Sequence, residues 1–131
     1  MKNVRKIVDA ALEVSKALPA AGAAASTAAI DLETSSGCPC DVQLNVAVPA
    51  TPALAAAKKI TVMVEDSANG VDFAATGYSF AVAGVADEGG PATEHNICLG
   101  PEVRQFVRVT AAVDADGGDN TAVAITAGLR F

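Results

Sequence analysis

Tryptophan is absent from this chain, and tyrosine and histidine occur once each, as Tyr78 and His95. Four phenylalanines complete an aromatic content of only 4%. A sugar-binding platform built on stacked rings therefore has little to draw on. With a single histidine, a Cys–His nucleophilic pair would rest on His95 alone. No orienting group or set of oxyanion donors is marked beside it, so the chain is expected not to be an enzyme. Cysteine is sparse and odd in number, at Cys38, Cys40 and Cys98. An evenly paired disulfide scaffold is excluded, and reduced thiols in a cytosolic product are expected. Positive charge is also short: 9 Lys and Arg face 15 Asp and Glu, for a net charge of −6. Phosphate backbones and anionic lipid surfaces need Lys and Arg to displace counterions, so neither nucleic acid nor membrane is an expected partner. No apolar run approaches the ~20 residues of a membrane-spanning helix. The basic start, Met1-Lys2-Asn3-Val4-Arg5-Lys6, is followed by Asp9, Glu13 and Lys16. That leaves no clean apolar stretch, so no secretory signal is expected.

What is present is small and apolar. Residues of hydrophobic type make up 51% of the 131, and many of them are alanine. This length fits one domain. Burial stabilises by roughly 25 cal/mol per Å² of apolar surface, so an Ala- and Val-rich core implies modest stability alone and help from neighbours. From residue 41 onward the period is two. Val42, Leu44, Val46 and Val48 share a face, as do Ile60, Val62 and Val64, and Tyr78, Phe80 and Val82. Near the C-terminus, Val107, Val109, Ala111 and Val113 form one apolar face, and Val123, Ile125, Ala127, Leu129 and Phe131 another. Asn69-Gly70 and Asp87-Glu88-Gly89-Gly90-Pro91 punctuate these runs as turns. Alternating strands at this spacing predict an all-β fold, an antiparallel β-sandwich or jelly roll. The last two strands, joined by a Gly/Asp/Asn loop, read as a closing hairpin. Residues 1–29 read as an N-terminal arm and an Ala-rich connector, and residues 30–131 as the sandwich. Within the arm, Val4, Ile7, Val8, Ala11 and Leu12 would share a helical face; an extended arm is the rival form.

Several groups could carry chemistry. Cys38-Pro39-Cys40 with His95 and Cys98 could supply four zinc ligands, although the usual spacing puts two residues between cysteines. Small apolar thiols at strand ends are the simpler account. Asp114, Asp116, Asp119 and Asn120 have the donor type for calcium, but their spacing is not that of a known calcium loop. A solvated loop fits them better, so no metal and no cofactor is expected. Arg104 and Arg108 share strand parity with Phe106 and Thr110. Arginines flanking an aromatic are either solvated or an anchor at a protein interface.

Three stretches, in order, resemble the jelly-roll capsid decoration (cement) proteins of tailed bacteriophages. The first is Ile7-Val8-Asp9-Ala10-Ala11-Leu12-Glu13-Val14-Ser15, followed by Ala25-Ser26-Thr27-Ala28-Ala29-Ile30-Asp31-Leu32. The second is Ile60-Thr61-Val62-Met63-Val64-Glu65-Asp66-Ser67. The third is Leu99-Gly100-Pro101 with Arg104, Phe106-Val107-Arg108-Val109 and the closing Ile125-Thr126-Ala127-Gly128-Leu129. Cys38-Pro39-Cys40 stands outside that pattern. The resemblance implies a non-enzymatic virion protein on the outer capsid surface. Its partners would be the major capsid protein and other copies of itself, as a dimer or trimer. It also implies that residues 7–15 are extended, and an extended N-terminal arm is accordingly expected rather than the helix. The expected contact residues are then Val8, Leu12 and Val14 in the arm, and Arg104, Phe106 and Arg108 in the C-terminal strand. The alternative is a carbohydrate- or receptor-binding β-sandwich module on a virion.

Overall fold

A computed structural model describes residues 13–32, 43–99 and 103–130. These form nine strands: β1 (Val14–Ala17), β2 (Ala24–Ser26), β3 (Ile30–Asp31), β4 (Gln43–Val48), β5 (Lys59–Ser67), β6 (Ala74–Ala83), β7 (Thr93–Cys98), β8 (Phe106–Val113) and β9 (Ala124–Arg130). No α-helix occurs among the described residues. The strands make two packed antiparallel sheets. One is four-stranded, in the order β1-β9-β4-β7. The other is five-stranded, in the order β2-β8-β5-β6, with β3 also paired to β8. The pairings are nested: β1 with β9, β2 with β8, β4 with β7 and β5 with β6. That nesting is the signature of a jelly roll, a long hairpin rolled into a sandwich.

The period-two pattern places the core. Leu44, Val46 and Val48 of β4 face Ile60, Val62 and Val64 of β5 across the sandwich, with Val107, Val109, Ala111, Val113, Ile125, Ala127 and Leu129 completing the layer. All are at most 3% exposed. The core is thus aliphatic and β-branched, and the rings of Tyr78 and Phe80 pack only at its margin. Alternation requires this arrangement, because each sheet has one apolar face and that face must meet another.

Two expectations are corrected. The last two strands do not form a hairpin. β8 pairs with β5 in the five-stranded sheet and β9 pairs with β4 in the other. Two inward-facing alternating strands satisfy burial equally well from opposite sheets, and the loop of residues 114–123 is long enough to cross the ~10 Å between sheets. The Ala-rich connector also contains a strand, β2. Ala24 and Ser26 sit opposite Ala112 and Thr110. Small residues give no visible periodicity, yet backbone pairing needs none. The extended form expected of the arm holds for Val14–Ala17, which pairs as a strand with residues 124–127. Val8 and Leu12, the rest of the supposed arm, lie outside the described residues, as do Cys38 and Cys40.

Candidate functional site

The outer face of the five-stranded sheet carries the residues that sequence marked for contact. Register fixes their company. Arg108 lies directly opposite Glu65, and Phe106 opposite Ser67. Arg108 donates from Nε to Glu65 Oε1 at 3.1 Å. Its guanidinium also sits 4.1 Å over the ring of Phe73, at the entry to β6. Thr110 Oγ1 donates to the same Glu65 oxygen, and Ser26 and Thr110 share a hydroxyl hydrogen bond of 2.8 Å. One polar line therefore crosses β2, β8 and β5 and ends under an aromatic ring. Cation–π contacts of this exposure contribute about 0.5–1 kcal/mol. Their chief effect here is to hold Arg108 and Phe73 in fixed positions on the surface.

The β5–β6 turn shapes the same corner. Ser67 Oγ accepts hydrogen bonds from the backbone N–H of Asn69 and Gly70, and Asn69 Oδ1 accepts from Val71 and Asp72. Gly70 has φ +77°, and the Phe106 ring lies 3.6 Å from where its Cβ would stand. The turn thereby presents Val71 at 77% exposure beside the aromatic corner.

Arg104 does not join this face. It precedes β8, so the alternation that sequence extended through it does not apply. Its guanidinium instead reaches Asp66, donating from Nε and Nη2 to Oδ1 at 3.1 and 2.8 Å, while its backbone N–H donates to Oδ2 at 3.0 Å. Asp66 is 7% exposed. Those hydrogen bonds hold its carboxyl below the usual carboxylate range, against the opposing effect of burial. Val14 is placed elsewhere again. It lies on β1 of the other sheet and packs against the core, opposite Ala127. Of the expected contact set, the structure brings together Phe106 and Arg108 alone. Glu65, Phe73 and Val71 belong to the same corner and were missed, as was Asp66, which stands opposite the buried Val107 and meets Arg104 instead. Glu65-Asp66 at a strand end was the available signal, but only register shows which arginine each carboxylate meets.

The candidate metal groups are dispersed. His95 and Cys98 stand three apart on β7, so they point to opposite faces. His95 stacks on Phe80, with ring centroids 4.0 Å apart. In the 114–121 loop, Asp114 accepts from the backbone N–H of Lys59, and Asp119 accepts from the N–H and hydroxyl of Thr121. The Thr121 hydrogen bonds hold the Asp119 carboxyl below its ordinary pKa. Among the described residues, no group of three or more His, Cys, Asp or Glu side chains is gathered as a metal site would require. On the outer face of the four-stranded sheet, Asn45 donates to Glu94 and Asn96, and Arg130 donates to Glu94 at 2.9 Å. Beside Glu94 lies a shallow, open depression of about 270 Å³, lined with Ala47, Val48, Pro49, Ala92 and Thr93. It has no convergent polar groups of the kind that orient a small ligand.

No protein family model matches the chain, and no curated protein matches it. Among solved structures, the chain is similar to the crystal structure of PBSX exported protein XepA. The TM-score is 0.55 and the identity 17%, over 88% of this chain and 34% of that one. The chain thus spans about a third of the length of that protein. At this identity the likeness concerns the fold, an all-β sandwich.

Proposed function

We propose that this chain is a structural virion protein of a tailed phage, which binds the outside of the capsid shell and stabilises it by bridging capsid subunits. The observation that carries the reading is where the resembling stretches sit. Ile30-Asp31, Ile60–Ser67 and Phe106–Val109 are dispersed in sequence, yet they fall on β3, β5 and β8, neighbours in one sheet, while Val14-Ser15 and Ile125–Leu129 fall on β1 and β9, which pair in the other. The likeness to decoration proteins therefore falls on strands that pair with one another within each sheet. The likeness to PBSX exported protein XepA supports the β-sandwich fold that this reading needs.

Bridging works by mass action. Whatever binds the assembled shell and not its dissociated subunits shifts the equilibrium toward assembly. The corner made by Phe106, Arg108, Phe73 and Val71 has the composition of a contact anchor, with rings and arginine held rigid by intramolecular bonds. A sugar-binding alternative draws less support, since Tyr78 and Phe80 turn inward against the core margin.

Cosedimentation tests the proposal. The purified chain, mixed with phage capsids stripped of outer proteins, is expected to pellet with them at a saturating ratio. Loss of binding in Phe106→Ala and Phe73→Ala, with circular dichroism retained, is the expected companion result. A chain that stays in the supernatant at all ratios would overturn the proposal.

A further inference from the structure

Among the described residues the sandwich has five edge strands, and all but β6 are guarded; β3, beside β2 on β8, is two residues long. β2 is only three residues long. β1 carries Lys16 opposite the buried Ile125, a charge on the inward parity of an edge. β7 carries the carboxylate of Glu94, held there by Asn45 and Arg130. Short edges, inward charges and charged side chains are the usual guards against strand-to-strand association. β6 is the longest strand, at ten residues, and its sequence Ala-Ala-Thr-Gly-Tyr-Ser-Phe-Ala-Val-Ala holds no charge and no proline. Among the described residues it is hydrogen-bonded to a strand on one side only, that of β5.

The free side of β6 has a definite geometry. Gly84, just past its end, donates its N–H toward Lys58 on the β5 side. Backbone groups alternate in direction along a strand. Ser79, Ala81 and Ala83 therefore aim their N–H and C=O groups away from β5, and their side chains are exposed and small. The stretch from Ser79 to Ala83 pairs regularly with β5, while the first half of the strand is distorted by a bulge and by Gly77 at φ +95°.

We propose that two copies of this chain associate through β6, pairing antiparallel about a two-fold axis at Ala81. Ala81 then exchanges both backbone hydrogen bonds with its own copy, and Ser79 pairs with Ala83 of the other chain. Charge favours this site for self-association. Each copy carries a net charge of −6, so like chains repel, and β6 lets them approach without bringing any carboxylate together. The patch is self-complementary, as an isologous dimer requires. On the inward face, half-buried Phe80 would stand opposite Val82 of the second copy, a favourable aromatic and β-branched cross-strand pair. The five-stranded sheets would become continuous across the axis. This association requires no capsid and stands apart from the shell-binding proposal.

Sedimentation equilibrium on the full chain tests it. The expected mass is twice 13.0 kDa at high protein concentration. Ala81→Pro removes the N–H aimed at the partner while leaving the bonds to β5, a position where proline is tolerated. Ala81→Glu places two carboxylates across the axis. Each variant is expected to sediment at the mass of a single chain with an unchanged far-ultraviolet spectrum; should one fail to fold, the other decides. A wild-type chain that stays monomeric, a trimer, or a dimer that survives whichever variants fold would each overturn the proposal.

Discussion

Of the ion pairs Arg104–Asp66, Arg108–Glu65 and Arg130–Glu94, the first holds the most shielded carboxylate, with the Asp66 side chain 10% exposed. The carboxylate is nearly buried and receives a backbone N–H together with the guanidinium. Its folded pKa lies below the ordinary value of 3.8. The stabilisation this supplies is therefore complete above that value and is lost as pH falls through the lower, folded value. Urea denaturation should show wild type more stable than Asp66→Asn at neutral pH, with the gap closing below about pH 4. A gap that stays constant to acid pH would contradict this account of the pair. Glycine at tight approaches gives a second prediction. Gly89 has φ +73°, and a Cβ there would stand 2.3 Å from the carbonyl oxygen of Thr51. Gly89→Ala should lower stability by more than the ~1–2 kcal/mol of the left-handed conformation alone, because backbone must also shift. At this scale the sequence was partly legible. It marked Arg104, Phe106 and Arg108 as unusual, but it could not reveal that Glu65 and Asp66 take up the two arginines. That pairing depends on a register between strands about 40 positions apart, which no local pattern encodes.

Burial faces were the most legible level at the scale of strands, and strand partners the least. Alternation at Leu44, Val46 and Val48, and again at Ile60, Val62 and Val64, states which side chains enter the core. It does not state which sheet a strand joins, which is why β8 and β9 read as a hairpin although they belong to opposite sheets. Nuclear Overhauser contacts provide the check. Strong backbone contacts are expected between Val64 and Val109 and between Val46 and Ala127. None is expected between β8 and β9. Poor legibility at β2 has a different cause: Ala24, Ala25 and Ser26 carry no hydrophobic signal, and backbone bonds to β8 hold the strand in place. Packing at the core is conventional in its cost. Leu44 and Ile125 are 0% and 1% exposed, so Leu44→Ala or Ile125→Ala should destabilise by about 2–5 kcal/mol in chemical denaturation.

The described molecule is a small jelly roll with a core of aliphatic residues, Tyr78 and Phe80 at its margin, and a net negative charge. Such a core gives less burial energy per residue than an aromatic one. Association with a larger surface would supply what the isolated chain lacks, and a shell that binds many copies would gain in turn. The two surfaces are distinct in their roles. The ring-and-arginine corner near Phe106 suits a contact with another protein, and the β6 edge suits a second copy. Thermal disruption of capsids is the measurement that tests the central proposal most directly. Stripped phage capsids titrated with this chain should break apart at a temperature that rises with added chain and then levels off as sites fill. An unchanged disruption temperature at saturating chain would contradict a role in stabilising the shell.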